Sequence, residues 1–96
     1  MHAVVRTFAG PAAKQLFDML EARKQEVEKL IRPVKGFVCY SLIRTTEGGV
    51  SVTVCEDKSG TDQSSQIARD WIGKNAADLG VNAPTIVEGS VILQLK

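Results

Sequence analysis

Two runs of strand-forming residues around a glycine pair restrict the fold of this chain more than any other feature. Phe37-Val38-Cys39-Tyr40-Ser41-Leu42-Ile43-Arg44-Thr45 leads into Thr46-Glu47-Gly48-Gly49, and Val50-Ser51-Val52-Thr53-Val54-Cys55 follows. β-Branched and aromatic residues flanking glycines predict an antiparallel hairpin. With the turn at Gly48-Gly49 or at Glu47-Gly48, odd positions of one strand oppose even positions of the other. Side chains alternate between faces with period two, so this parity sorts them. Phe37, Cys39, Ser41 and Ile43 fall with Val50, Val52 and Val54, a mostly apolar set expected beneath the helices. Val38, Tyr40, Leu42, Arg44, Ser51, Thr53 and Cys55 fall on the opposite face, which mixes an aromatic, aliphatics, hydroxyls and a cation.

The flanking segments supply the rest of the domain. Ala3-Val4-Val5-Arg6-Thr7-Phe8 predicts a first strand closed by Gly10-Pro11, with Pro11 suited to the first turn of a helix. From Ala12 to Ile31 the apolar residues Ala13, Phe17, Leu20, Val27 and Ile31 recur at helical spacing, with Leu16 and Leu30 beside them. Asp18, Glu21, Arg23, Lys24, Glu26, Glu28, Lys29 and Arg32 form the opposite, solvated face, with Lys24–Glu28 and Glu28–Arg32 at i,i+4 spacing. Pro33 stops this helix. After a polar break at 56–61, Ser59 and Asp62 have the spacing of a capping box. A second helix turns Ile67, Ala68, Trp71, Ile72, Ala76 and Leu79 inward and ends near Gly80. Thr85 to Leu95 predict a last strand with Gly89 as a bulge. The order β-α-β-β-α-β predicts one α+β, ferredoxin-like domain over 1–96: a four-stranded antiparallel sheet with two helices on one face.

Composition narrows the function. The 96 residues carry 12 Lys+Arg against 11 Asp+Glu, and a net charge of +1 provides no basic footprint for nucleic acid or for a membrane surface. The third strand, Val50 to Cys55, also lacks the aromatics on which RNA-recognition modules of this topology stack bases. No apolar run approaches 18 residues, and the first residues do not form a secretion signal, so a soluble cytoplasmic protein is expected. Cys39 and Cys55 lie on opposite faces by parity, too far apart for a disulfide, and both are expected to be buried and reduced. No Cys-x-x-Cys occurs and His2 is the only histidine. No metal or cofactor site is therefore expected, and no Ser/His/Asp or Cys/His set exists. In a lone two-layer domain the mixed face would meet water, yet Val38, Tyr40 and Leu42, with Ile86 and Ile92, suit burial. A homodimer with sheets face to face is expected.

The β-α-β-β-α-β order, the Gly10-Pro11 helix start, the valine-rich hairpin and Asp70-Trp71-Ile72 on the second helix resemble the dimeric α+β-barrel superfamily. Within it the chain is most similar to the antibiotic-biosynthesis-monooxygenase-like group. The resemblance spans essentially the whole chain. It implies two sheets packed into a barrel across a dimer, with a cleft between sheet and helices in each subunit. It also implies relatives that are cofactor-independent oxygenases of polyketide or quinol-like aromatics, haem-degrading enzymes, or proteins with no known activity. Haem-degrading relatives use an Asn on the first strand, a Trp on the second helix and a His after it. Trp71 takes the second position, but the first strand has Arg6 and Thr7, and no histidine follows Trp71.

The candidate site residues form two groups. Trp71 is either a core residue or a platform for a planar ligand, and Asn75, one turn on, can reach the same space. Tyr40, Arg44 and Thr53 share the second sheet face. Arg44 is suited to an enolate oxygen or to an interface acid such as Glu88, and Tyr40 to donating a hydrogen bond. Arg6 can join either arrangement. His2, beside the initiator, makes a poor general base. Two functions are expected: a cofactor-independent monooxygenase-like enzyme for a small planar organic substrate, or a non-catalytic ligand-binding or scaffold homodimer.

Overall fold

The computed structural model describes all 96 residues. Its elements are β1 (His2–Ala9), α1 (Pro11–Ala22), α2 (Lys24–Ile31), β2 (Phe37–Arg44), β3 (Gly48–Cys55), α3 (Lys58–Asn75), a short 3-10 turn (Ala77–Leu79) and β4 (Thr85–Ser90). The four strands form one antiparallel sheet in the order β2-β3-β1-β4. This is the ferredoxin-like α+β fold expected from the sequence. No helix is long and apolar enough to cross a membrane.

The expected first helix is two helices. Arg23, at φ −115° and ψ 28°, closes α1 through its N–H to the Met19 carbonyl, while its own carbonyl accepts from Glu26 and Val27 to start α2. The bend brings Val27 and Ile31 onto the same core as Ala13, Leu16, Phe17 and Leu20, joined by Phe8, Trp71 and Ala76. Each large side chain buried there contributes roughly 1.5–3 kcal/mol. Leu30 stays exposed.

The hairpin turn falls one step earlier than expected. Thr45 and Gly48 exchange backbone hydrogen bonds at 3.2 and 3.3 Å, so Thr46 and Glu47 form the turn. The odd–even parity survives: Tyr40 opposes Thr53 and Leu42 opposes Ser51. The glycine pair serves packing instead. A Cβ on Gly49 would clash with the Phe17 ring, and one on Gly48 would meet the Phe8 carbonyl and the Ala13 side chain.

The two faces of the sheet are reversed from expectation. Helices cover the mixed face, with Tyr40 and Leu42 packed against the core and Arg6, Ser51, Thr53 and Cys55 buried. Ile43, Val50, Val52 and Val54 alternate to the other face, where Ile43 is exposed, Val50 and Val52 are half-buried and Val54 is buried. A register shift between Phe37 and Cys39 also moves Phe37 opposite Cys55, to the helix side.

Smaller corrections share local causes. The Ser59–Asp62 capping box does not form: α3 starts after Asp57, Ser59 donates to the Asp57 carboxylate and Lys58 pairs with Asp62 at 2.8 Å. β4 ends at Ser90 and its pairing with β1 runs through Gly89 without a bulge. Beyond it the Val91 N–H donates to Met1 O, and Gln94 reaches Cys39. Cys39 is exposed, whereas Cys55 is buried; both are free thiols.

Candidate functional site

The helix-covered face takes polar side chains into the interior. Arg6 stands directly opposite Ser51, and Thr53 lies between Val4 and Tyr40. Arg6 is 3% exposed, Ser51 2% and Thr53 0%. Arg6 Nη1 donates to Ser65 Oγ on α3 at 2.8 Å. Its Nε and Nη2, together with Ser51 Oγ and Thr53 Oγ1, form no hydrogen bond of good geometry, and the Tyr40 phenol is the nearby group that interacts with the guanidinium. A guanidinium does not shed its proton at accessible pH, so this is a buried cation with no carboxylate. Burial lowers the Arg6 pKa and raises that of Tyr40, and each group partly offsets the effect on the other. Tyr40 is therefore a neutral phenol beside a cation.

Two hollows meet at this floor. An inner cavity of about 40 Å³ has Arg6, Tyr40 and Ser51 below and Phe17, Leu20, Val27 and Trp71 above. An outer groove of about 400 Å³ runs between α3, residues 81–84 and Ile86 of β4. Its walls are Phe8, Ala68, Ile72, Val81, Pro84 and Ile86, and its polar groups come from Arg6, Ser65, Arg69 and Asn82. No acidic residue lines it. Arg6, Phe8, Ala68 and Ile72 line both hollows.

The structure brings Arg6, Tyr40 and Thr53 together, sets Trp71 on the inner cavity that Arg6 and Tyr40 also line, and places Asn75 and Arg44 elsewhere. The Trp71 ring lines the inner cavity, its Nε1 donates to Glu26 Oε2 at 2.8 Å, and the Arg23 guanidinium sits 5.1 Å from its centroid. That indole N–H, followed by Arg23, holds the Glu26 carboxyl below the usual glutamate range. Asn75 Nδ2 donates to the Trp71 carbonyl at 3.0 Å and lines neither hollow. Arg44 spans to α1, gripping Asp18 at 2.9 Å and Glu21 at 2.7 Å. Glu88 pairs with His2 and Lys58. Ser65, Arg69 and Asn82 carried no signal of their own; only the i,i+4 spacing of Ser65 and Arg69 places both on one stripe of α3.

No family model matches the sequence, and no curated protein matches it significantly. Solved structures do share the fold. A monooxygenase from the gene ActVA-Orf6 of Streptomyces coelicolor, in complex with nanaomycin D, superposes with a TM-score of 0.65 at 20% identity, over 99% of this chain and 89% of that one. A dimeric ferredoxin-like protein from an uncultured marine organism gives 0.63 at 13% identity, over 99% and 95%. The haem degrader MhuD of Mycobacterium tuberculosis, with two haems bound, gives 0.57 at 19% identity over the full length of both. These likenesses show the fold alone: the chain shares the ferredoxin-like α+β fold of these solved structures.

A haem-degrading site is not reproduced by these residues. The groove offers no His, Cys, Met or Tyr as an axial iron ligand, and His2 is engaged by Glu88. No cluster of three or more His, Cys, Asp or Glu side chains is placed to hold a metal ion.

Proposed function

We propose that the protein binds a small planar organic molecule in the outer groove and acts on it as a cofactor-independent monooxygenase-like enzyme. The observation that carries this reading is a groove of about 400 Å³, apolar-walled, opening over the buried and incompletely paired Arg6. Apolar clefts with a few convergent polar groups are the usual form of small-molecule sites. In such an oxygenation the substrate loses a proton to water and itself supplies the four electrons that dioxygen takes up, one oxygen atom entering the substrate and the other leaving as water. The protein's part is to exclude water and stabilise charge. Phe8, Ile72 and Pro84 would hold the planar body, Arg6 would lower the energy of the anion, and Tyr40, on the adjoining inner cavity, would donate a hydrogen bond to any part of the anion that enters there.

A non-catalytic binder is the second reading, favoured by one specific observation: no His, Asp or Glu lines the groove to serve as general base. Either form is proposed to be a homodimer, joined through the sheet face that the helices leave open. A panel of quinol-like and flavonoid-like aromatics, with binding followed by calorimetry and dioxygen by electrode, separates the readings. Saturable binding with protein-dependent oxygen uptake supports the enzyme, and binding alone supports the binder. Absence of binding across the panel overturns both.

A further inference from the structure

Arg6 presents its two unpartnered donors along one edge. Nε–H and Nη2–H lie side by side on a guanidinium, at the spacing of the two oxygens of a carboxylate. On this protein's surface Arg23 and Arg32 use that same edge, through Nε and Nη2, to grip Glu26 and Glu28. In Arg6 the edge is buried and unmet, while Nη1 is fixed by Ser65 and the residue lines both the inner cavity and the outer groove. Arg69 adds a second cation at the groove, and no acid lines either hollow. A buried cation lacking its counter-ion is unfavourable for the fold, whereas an apolar side chain in its place is often stabilising.

We propose that the groove selects a planar organic carboxylate, whose carboxylate seats bidentately on the Nε/Nη2 edge of Arg6. The proposal deepens the small-molecule reading of the groove and depends on it. The aromatic body lies against Ile72 and Pro84, and Arg69 draws the anion in. The inner cavity, at about 40 Å³, leaves room for little more than the anionic group.

The test compares 2-naphthoate with its neutral counterpart 2-naphthamide by calorimetry at pH 7. Naphthoate is expected to bind at least tenfold tighter, and the Arg6 Nε–H proton resonance should move downfield saturably with naphthoate only. Arg6→Met should erase the preference while leaving the unliganded melting temperature equal to or above that of wild type. Arg6→Lys, which keeps the charge but not the paired edge, should retain a reduced preference. Arg32→Gln, distant from the groove, should change nothing. Equal affinity for acid and amide overturns the charge selection but leaves the groove as a small-molecule site. Failure of both probes to bind overturns the groove reading as well. Collapse of the fold in Arg6→Met, with no Nε–H shift in wild type, would make Arg6 a structural residue and overturn the proposal.

Discussion

The two faces of one sheet divide its chemistry in an unusual direction. The face under the helices carries Arg6, Ser51, Thr53 and Tyr40, whereas the face the helices leave open carries Val5, Val50, Val52, Ile43 and Val87. An isolated two-layer domain would do the opposite, because burying unpaired polar groups is costly and exposed apolar area loses the hydrophobic gain. Val87 is 65% exposed and, in the tail that follows β4, Ile92 is 98% exposed. Taken together, the unpaired polar groups set beside an apolar core suit a bound ligand, and exposed Ile43 and Val87 suit a second copy of the chain.

The largest effect is expected where the helix-covered face has no spare room. Gly49→Ala would push a methyl into Phe17, and the displacement should cost about 3 kcal/mol, the upper range for overpacking. For a domain of this size that lowers the melting temperature by more than about 10 °C in calorimetry. An unchanged melting temperature would mean that α1 does not press on the sheet there.

Trp71→Phe should have a smaller effect, on the order of 2 kcal/mol by urea unfolding, from lost ring area and the lost N–H to Glu26. Because Trp71 lines the inner cavity and not the groove, ligand affinity should fall far less than in Arg6→Met. A Trp71→Phe variant that keeps its stability but loses binding would move the site inward.

The smallest effect concerns pH. Glu26 is held below the ordinary glutamate range by Trp71 and Arg23, so its contribution to stability is complete above about pH 4.3 and fades as pH falls through the lowered value. Glu26→Gln should therefore differ from wild type in melting temperature at pH 7 and converge on it as pH falls below the lowered value. A difference that grows in acid would contradict the assigned direction.

Much of the fold was legible because it rests on local pattern. The element order, the parity of the hairpin and the opposed cysteines follow from strand and helix periods and turn residues. Which face the helices cover was not legible, because hydrophobicity alone ranks the valine face as the interior, and only tertiary packing reveals that Arg6 and Thr53 lie inside. The glycine pair misled for a related reason: glycine marks close packing as readily as it marks a turn, and at Gly49 the neighbour is Phe17, thirty-two positions earlier in the chain. The break at Arg23 has no proline or glycine to announce it. At the candidate site Arg6, Tyr40 and Thr53 could be named from the strands that carry them. Arg69 and Asn82 could not, since only the docking of α3 and the 81–84 loop beside β1 brings them to the groove.

The division of labour between the two faces is tested most directly by sedimentation equilibrium at micromolar concentration, on wild type and on Val52→Lys. Val52 lies at the middle of the open face on an interior strand, so a lysine there would bury an unpaired charge only if a second copy covers it. The account predicts about twice the 10.4 kDa chain mass for wild type, and a single chain mass with unchanged far-ultraviolet dichroism for Val52→Lys. A wild-type protein at one chain mass, or a Val52→Lys variant still at two, would contradict it.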